Sequence, residues 1–165
     1  MSDQKPVDYE VFLSLLMSDP GPGAREDAEA TASPVLAAML DEFAAAHGVD
    51  CVDRDGRTLL MNAVTRGRPD LVAGLIERGA DVDASDGRDF RALHFAALED
   101  DVTCAGLLLD AGAAIDPRDG WGNTPLWRAA MTFEPDAAVT AFLLARGADP
   151  SVANDHGVAP QDLLG

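Results

Sequence analysis

Positive charge is what this chain has least of. Lys5 is its one lysine, and with eleven arginines it faces 29 acids, for a net charge of −17. Such a balance repels a phosphate backbone or an anionic bilayer, so neither nucleic acid nor a membrane surface is expected as partner. A basic protein is the electrostatic match. Arginine in place of lysine, with abundant Ala, Gly and Asp, reads as the product of a GC-rich and hence bacterial gene. Cysteine is scarce too: Cys51 and Cys104 stand 53 residues apart, without metal-ligand spacing. Cys104 falls in an apolar helix pattern, where a buried, inert thiol is expected; a disulfide is allowed but not needed, and a reducing cytoplasm fits better. Long apolar runs are missing. Val11–Met17 is short and flanked by Asp8, Glu10 and Asp19, which makes neither a secretory leader nor a membrane span.

The residues of common chemistries are equally thin. His47, His94 and His156 lie far apart, none beside Cys or Glu at ligand spacing. There is no His-Glu-x-x-His, nucleophile elbow, phosphate loop or dinucleotide glycine pattern. Asp81–Gly87 has the look of a calcium loop, but its glycine comes one place late and Ala92 stands where a bidentate Glu is required. No enzyme, metal or cofactor is expected.

What the chain does have is self-similarity. Gly56-Arg57-Thr58-Leu59-Leu60-Met61, Asp89-Phe90-Arg91-Ala92-Leu93-His94 and Gly122-Asn123-Thr124-Pro125-Leu126-Trp127 align with Leu60, Leu93 and Leu126 spaced 33 residues apart. Each block runs on to a second mark: Arg78-Gly79-Ala80-Asp81, Ala111-Gly112-Ala113-Ala114 and Arg146-Gly147-Ala148-Asp149. This period, with Thr-Pro-Leu-His-like and Gly-Ala-Asp-like marks, resembles the ankyrin repeat. The resemblance implies an all-α solenoid with short β-hairpin-like tips, each unit burying its apolar face on its neighbours.

On that reading residues 1–52 form an N-terminal cap of two helices, Tyr9–Met17 and one starting at Ser33-Pro34, around a long acidic loop. Three full units follow, 53–85, 86–118 and 119–153, and 154–165 form a C-terminal half-unit. The first helix of the first unit is expected at about Thr58–Arg66 and the second at Asp70–Arg78, ended by Gly79 in the left-handed region. Ala63, Ala96, Ala97, Ala129 and Ala130 are small enough for neighbouring first helices to approach closely, which curves the stack and puts the tips on its concave side. The spacing from Gly112 to Gly147 is 35, so two extra residues fall near Thr132–Asp136. No unit holds both the Thr and the His of the family motif: Thr58 and Thr124 lack the His, and His94 lacks the Thr.

The resemblance implies a protein partner held on tips and exposed first-helix positions, and a chain that is monomeric alone. Those positions are Arg54, Asp55, Arg57, Thr65 and Arg66; Ser85, Arg88, Phe90, Leu98 and Glu99; Arg118, Trp121, Asn123, Met131 and Thr132. Trp121, between Gly120 and Gly122 at a tip with no core, and Phe90 on the preceding tip are the expected anchors, aromatics being enriched in interface hot spots. The alternative is that Trp121 folds back on Trp127 or Arg88 and stiffens the tip. Asp53, Asp86 and Asp119 recur at one position and are expected to cap turns. Charge and size suggest an inhibitor that neutralises a basic toxin, as an immunity protein does; an adaptor docked on an enzyme or transporter is the other role.

Overall fold

The computed structural model describes residues 33–132 and 137–164. The expected helix at Tyr9–Met17, the acidic stretch 24–32 and residues 133–136 of the extra turn lie outside the described residues. Within them run α1 Pro34–His47, α2 Leu59–Thr65, α3 Pro69–Glu77, α4 Ala92–Leu98, α5 Val102–Asp110, α6 Pro125–Thr132, α7 Ala138–Ala145 and α8 Pro160–Leu164. They stack in two layers. α2, α4, α6 and α8 pack in sequence to form one, and α1, α3, α5 and α7 form the other.

Local chemistry explains where each helix starts. Ser33 Oγ accepts the Leu36 N–H at 3.2 Å and Pro34 opens α1. Thr58 and Thr124 accept the N–H groups of Met61 and Trp127 at 3.3 and 3.2 Å, so two units keep the threonine cap. In α4 the cap residue is Arg91, and there His94 Nδ1 accepts the Arg91 N–H at 3.1 Å instead. α7 is capped from the preceding unit: Asp100, at φ 52° where the first unit has Gly67, accepts the Val139 N–H at 2.8 Å. The second-layer helices end alike. Gly79, Gly112 and Gly147 take φ 78°, 92° and 95°, and the N–H groups of Ala80, Ala113 and Ala148 reach back to the carbonyls of Leu75, Leu108 and Leu143.

Alanine decides the spacing of the first layer: Ala63, Ala96, Ala97 and Ala129 are fully buried. Leucines from both layers (Leu40, Leu60, Leu71, Leu93, Leu108, Leu126 and Leu143) fill the space between them. Leu144, in the second layer, is 39% exposed.

The expected β-hairpin-like tips are corrected by the structure. Among the described residues there is no strand, only isolated bridges between Val52 and Thr58 and between Ser85 and Arg91. A ladder cannot grow past one rung, because Thr58 and Arg91 are already helix N-caps and a carboxylate takes the tip N–H groups that a hairpin would pair. A second carboxylate series ties the units together behind the tips. Asp50, Asp83 and Asp116, spaced 33 residues apart, accept the N–H groups of Asp81, Ala114 and Asp149, each just past the next glycine corner.

Candidate functional site

Four tips are built on one plan. Asp53 Oδ1 accepts the N–H groups of Asp55 and Arg57; Asp86 those of Arg88 and Phe90; Asp119 those of Trp121 and Asn123. The fourth is Asn154, whose Oδ1 accepts from His156 and Val158. Each turn needs a left-handed residue, supplied by Gly56, Asp89, Gly122 and Gly157 at φ 78°, 60°, 77° and 78°. The aspartates are thus turn caps, and their exposed neighbours are what the surface presents.

Adjacent tips are joined to one another. The Gly120 N–H donates to the Arg88 carbonyl at 2.9 Å, and the Asp155 N–H to the Trp121 carbonyl at 3.1 Å. A Cβ on Gly120 would sit 3.0 Å from that Arg88 oxygen, so a larger residue would crowd the third tip against the second. The tip carrying Trp121 is therefore held from both sides.

Between units, two positions pair across the stack. Arg57 of one tip lies over the ring of Phe95 in α4, 4.8 Å from its centroid. One period later the pair is Phe90 and Arg128, again 4.8 Å, with the cation and the ring exchanged. Arg128 is held by Asp119, its Nε donating to Oδ2 at 2.7 Å, and its guanidinium also faces Trp121 and Trp127 at 5.4 and 5.7 Å. Trp121 meets Phe90 edge-on at 6.1 Å. The result is a cluster of three rings around one guanidinium, with Trp121 still 44% exposed. Beside it opens a groove of about 520 Å³, lined by Arg88, Trp121, Trp127, His156 and Val158 among others.

Burial alone would raise the carboxyl of Asp119, but the Trp121 N–H, the Arg128 guanidinium and the Asn123 N–H together hold it below the usual carboxylate value. His94 is fully buried. Desolvation pushes it below its ordinary pKa, and with Nδ1 accepting from Arg91 its Nε2–H donates to the Asn123 carbonyl at 3.1 Å. It pins one tip to the next. Cys51 and Cys104 are buried free thiols, the first pushed up to about 11 by desolvation and the second raised further by the same cause.

The expected site residues fall in three sets. Phe90, Arg88 and Trp121 come together at the groove, while Arg54, Asp55 and Arg57 sit on the first tip. Arg66 and Glu99 are exposed and Leu98 half-buried near the turns between helices; Met131 is 62% exposed at the end of α6. Arg118 is paired with Asp155 at 2.8 Å. Asn123 is 4% exposed, its amide shared between Asp119 and Asn154. Sequence reasoning did not single out Phe95, Arg128 or Asn154. Phe95 and Arg128 stand 38 residues after Arg57 and Phe90, a signal visible only once the stacking register is known.

Fold and site define a stacked-repeat scaffold, and no group of residues able to hold a metal occurs among the described residues. None of their helices is long and apolar enough to cross a membrane. Residues 66–109 match a model of ankyrin repeats in many copies, and 121–155 match a model of the single ankyrin repeat. Mouse protein phosphatase 1 regulatory subunit 27 is 36% identical over 107 residues, 64% of this chain and 68% of that protein. The human protein of that name is 42% identical over 73 residues, 44% of this chain and 46% of that protein. A putative ankyrin repeat-containing protein of Treponema pallidum is 37% identical over 110 residues, 66% of this chain and 36% of that protein. The chain belongs to the ankyrin-repeat family, whose units are non-catalytic scaffolds for protein–protein interaction. It spans from about a third to two thirds of these relatives, and they do not single out a bacterial source.

Proposed function

We propose that this chain binds a basic protein across its second, third and fourth tips, as an accessory or regulatory subunit. The observation that carries the reading is Trp121, an exposed ring fixed at a tip beside an open groove. An anchor locked before binding loses little freedom on association. The net charge of −17 supports a basic partner and faster encounter with it. The regulatory role rests on the relatives whose name is that of a phosphatase regulatory subunit. Neutralising a basic toxin is the second role, supported by the same charge. Binding by a monomeric chain is part of the proposal.

The test is surface-immobilised binding of the protein that co-purifies with the native chain. Trp121→Ala raises the off-rate and costs about 2 kcal/mol, and association slows as salt rises. Unchanged binding by Trp121→Ala, with loss on neutralising the acids of residues 24–32, would move the site to the N-terminal stretch. Whether the chain grades the partner's activity or abolishes it separates the two roles.

A further inference from the structure

The groove beside Trp121 has the opposite charge character to the molecule. The chain carries 29 acids, yet no Asp or Glu lines this groove among the described residues; its charged and titratable lining is Arg88, Arg128 and His156. Arg128 is already neutralised by Asp119. Arg88 is different: its side chain is exposed and has no hydrogen bond, ion pair or ring contact among the described residues, while its backbone is fixed to the third tip through Gly120. The remaining lining is largely apolar, with Trp121, Trp127 and Val158. An apolar slot with an unspent guanidinium at its rim complements an apolar side chain next to a carboxylate.

Resting on the reading that this is the binding surface, we propose that the groove takes an extended segment of the partner in which an apolar residue is followed by an acidic one. The apolar side chain packs on Trp121, Trp127 and Val158, and the carboxylate pairs with Arg88. The carboxylate belongs to a side chain within the segment rather than to a chain end. Arg88 also borders a second hollow of about 200 Å³, lined with Asp55, Arg57 and Asp86, so the path continues past it along the tips. The acidic excess elsewhere steers a basic protein in, and this slot selects the local sequence that docks.

Trp121 and Trp127 are the only tryptophans and both line the groove, so intrinsic fluorescence reads it directly. The probes are nine-residue Gly/Ser peptides with blocked ends and Leu-Asp, Leu-Asn or Leu-Lys at the centre, plus one ending in a free Leu carboxylate. Leu-Asp is expected to bind roughly tenfold tighter than Leu-Asn, and Leu-Lys weakest. Arg88→Gln, an exposed change that leaves the melting temperature in place, removes that preference. Equal binding of Leu-Asp and Leu-Asn, tighter binding of Leu-Lys or of the free-ended peptide, or a preference that survives Arg88→Gln would each overturn the proposal. Loss of peptide selectivity while Trp121→Ala still weakens the co-purified partner sinks this inference alone. Loss of both sinks the functional reading under it.

Discussion

Two junctions of this stack use the same pair of positions with opposite contents. At the first, the tip gives the cation and the helix the ring, Arg57 over Phe95; at the second, the tip gives the ring and the helix the cation, Phe90 under Arg128. The exchange has consequences beyond the pair. Arg57 stands 3.9 Å from Asp86 with its side chain 35% exposed, a loose contact at the surface. Arg128 comes from the helix, bonds a fully buried carboxylate directly and leaves the tip free to carry aromatic surface. Equal geometry thus gives one junction edged by charged side chains and one that presents rings to solvent. The second offers the surface on which the proposed binding rests.

The largest difference between the junctions is expected at their aspartates. Asp119→Ala removes the partner of a half-buried guanidinium as well as the cap of a turn, and costs about 4 kcal/mol. Asp86→Ala loses mainly two turn N–H bonds and costs about 2 kcal/mol. Urea denaturation of the two variants checks the order, and equal losses would break the comparison. Next come the glycines at the matching tip position. Gly120→Ala pushes a Cβ to 3.0 Å from the Arg88 carbonyl, whereas Gly87 has nothing within 4 Å. The first is expected to lower stability by about 1–2 kcal/mol, as overpacking does, and the second to change it by about 0.5 kcal/mol or less.

A pH dependence is expected at the second junction. His94 bridges Arg91 to Asn123 as a neutral ring, with Asp119 and Arg128 near it. Its pKa is lowered by burial, so the unfolded chain takes up a proton that the folded one resists. Stability from this site is complete above pH 6.5, the unfolded value, and declines as pH falls below it. His94→Gln should flatten that slope in melting curves between about pH 7.5 and about pH 5, a range that brackets the unfolded value. An unchanged slope would place the titration elsewhere. Arg57→Ala is expected to cost about 0.5–1 kcal/mol, as for an exposed cation over a ring. A double-mutant cycle with Phe95→Leu measures it.

Much of this architecture was legible because it repeats. The 33-residue period, the glycine corners after Arg78, Ala111 and Arg146, and the recurring Asp53, Asp86 and Asp119 follow from residues next to one another in sequence. What could not be read depends on stacking register. Arg57 meets Phe95, and Phe90 meets Arg128, only because one unit lies against the next at a particular offset. The hairpin expectation failed for a related reason: the same aspartates that mark the turns consume the N–H groups a strand pair would need. Asn154 went unnoticed because it replaces the aspartate it imitates. Asp70, which the pattern places on an outer helix, is 3% exposed and bonded by Arg68. It is no silent surface position, whereas Glu77 on the same helix is exposed.

The central claim is that the tip bearing Trp121 is the contact surface, and the chain carries its own probe. Grown with 5-fluorotryptophan it has two ¹⁹F resonances, Trp121 and Trp127, assigned by Trp127→Phe. On saturation with the co-purified partner, the Trp121 resonance is predicted to shift and to lose its H₂O/D₂O isotope effect, because the ring leaves water. A Trp121 resonance that keeps its position and its isotope effect in the saturated complex would contradict the account.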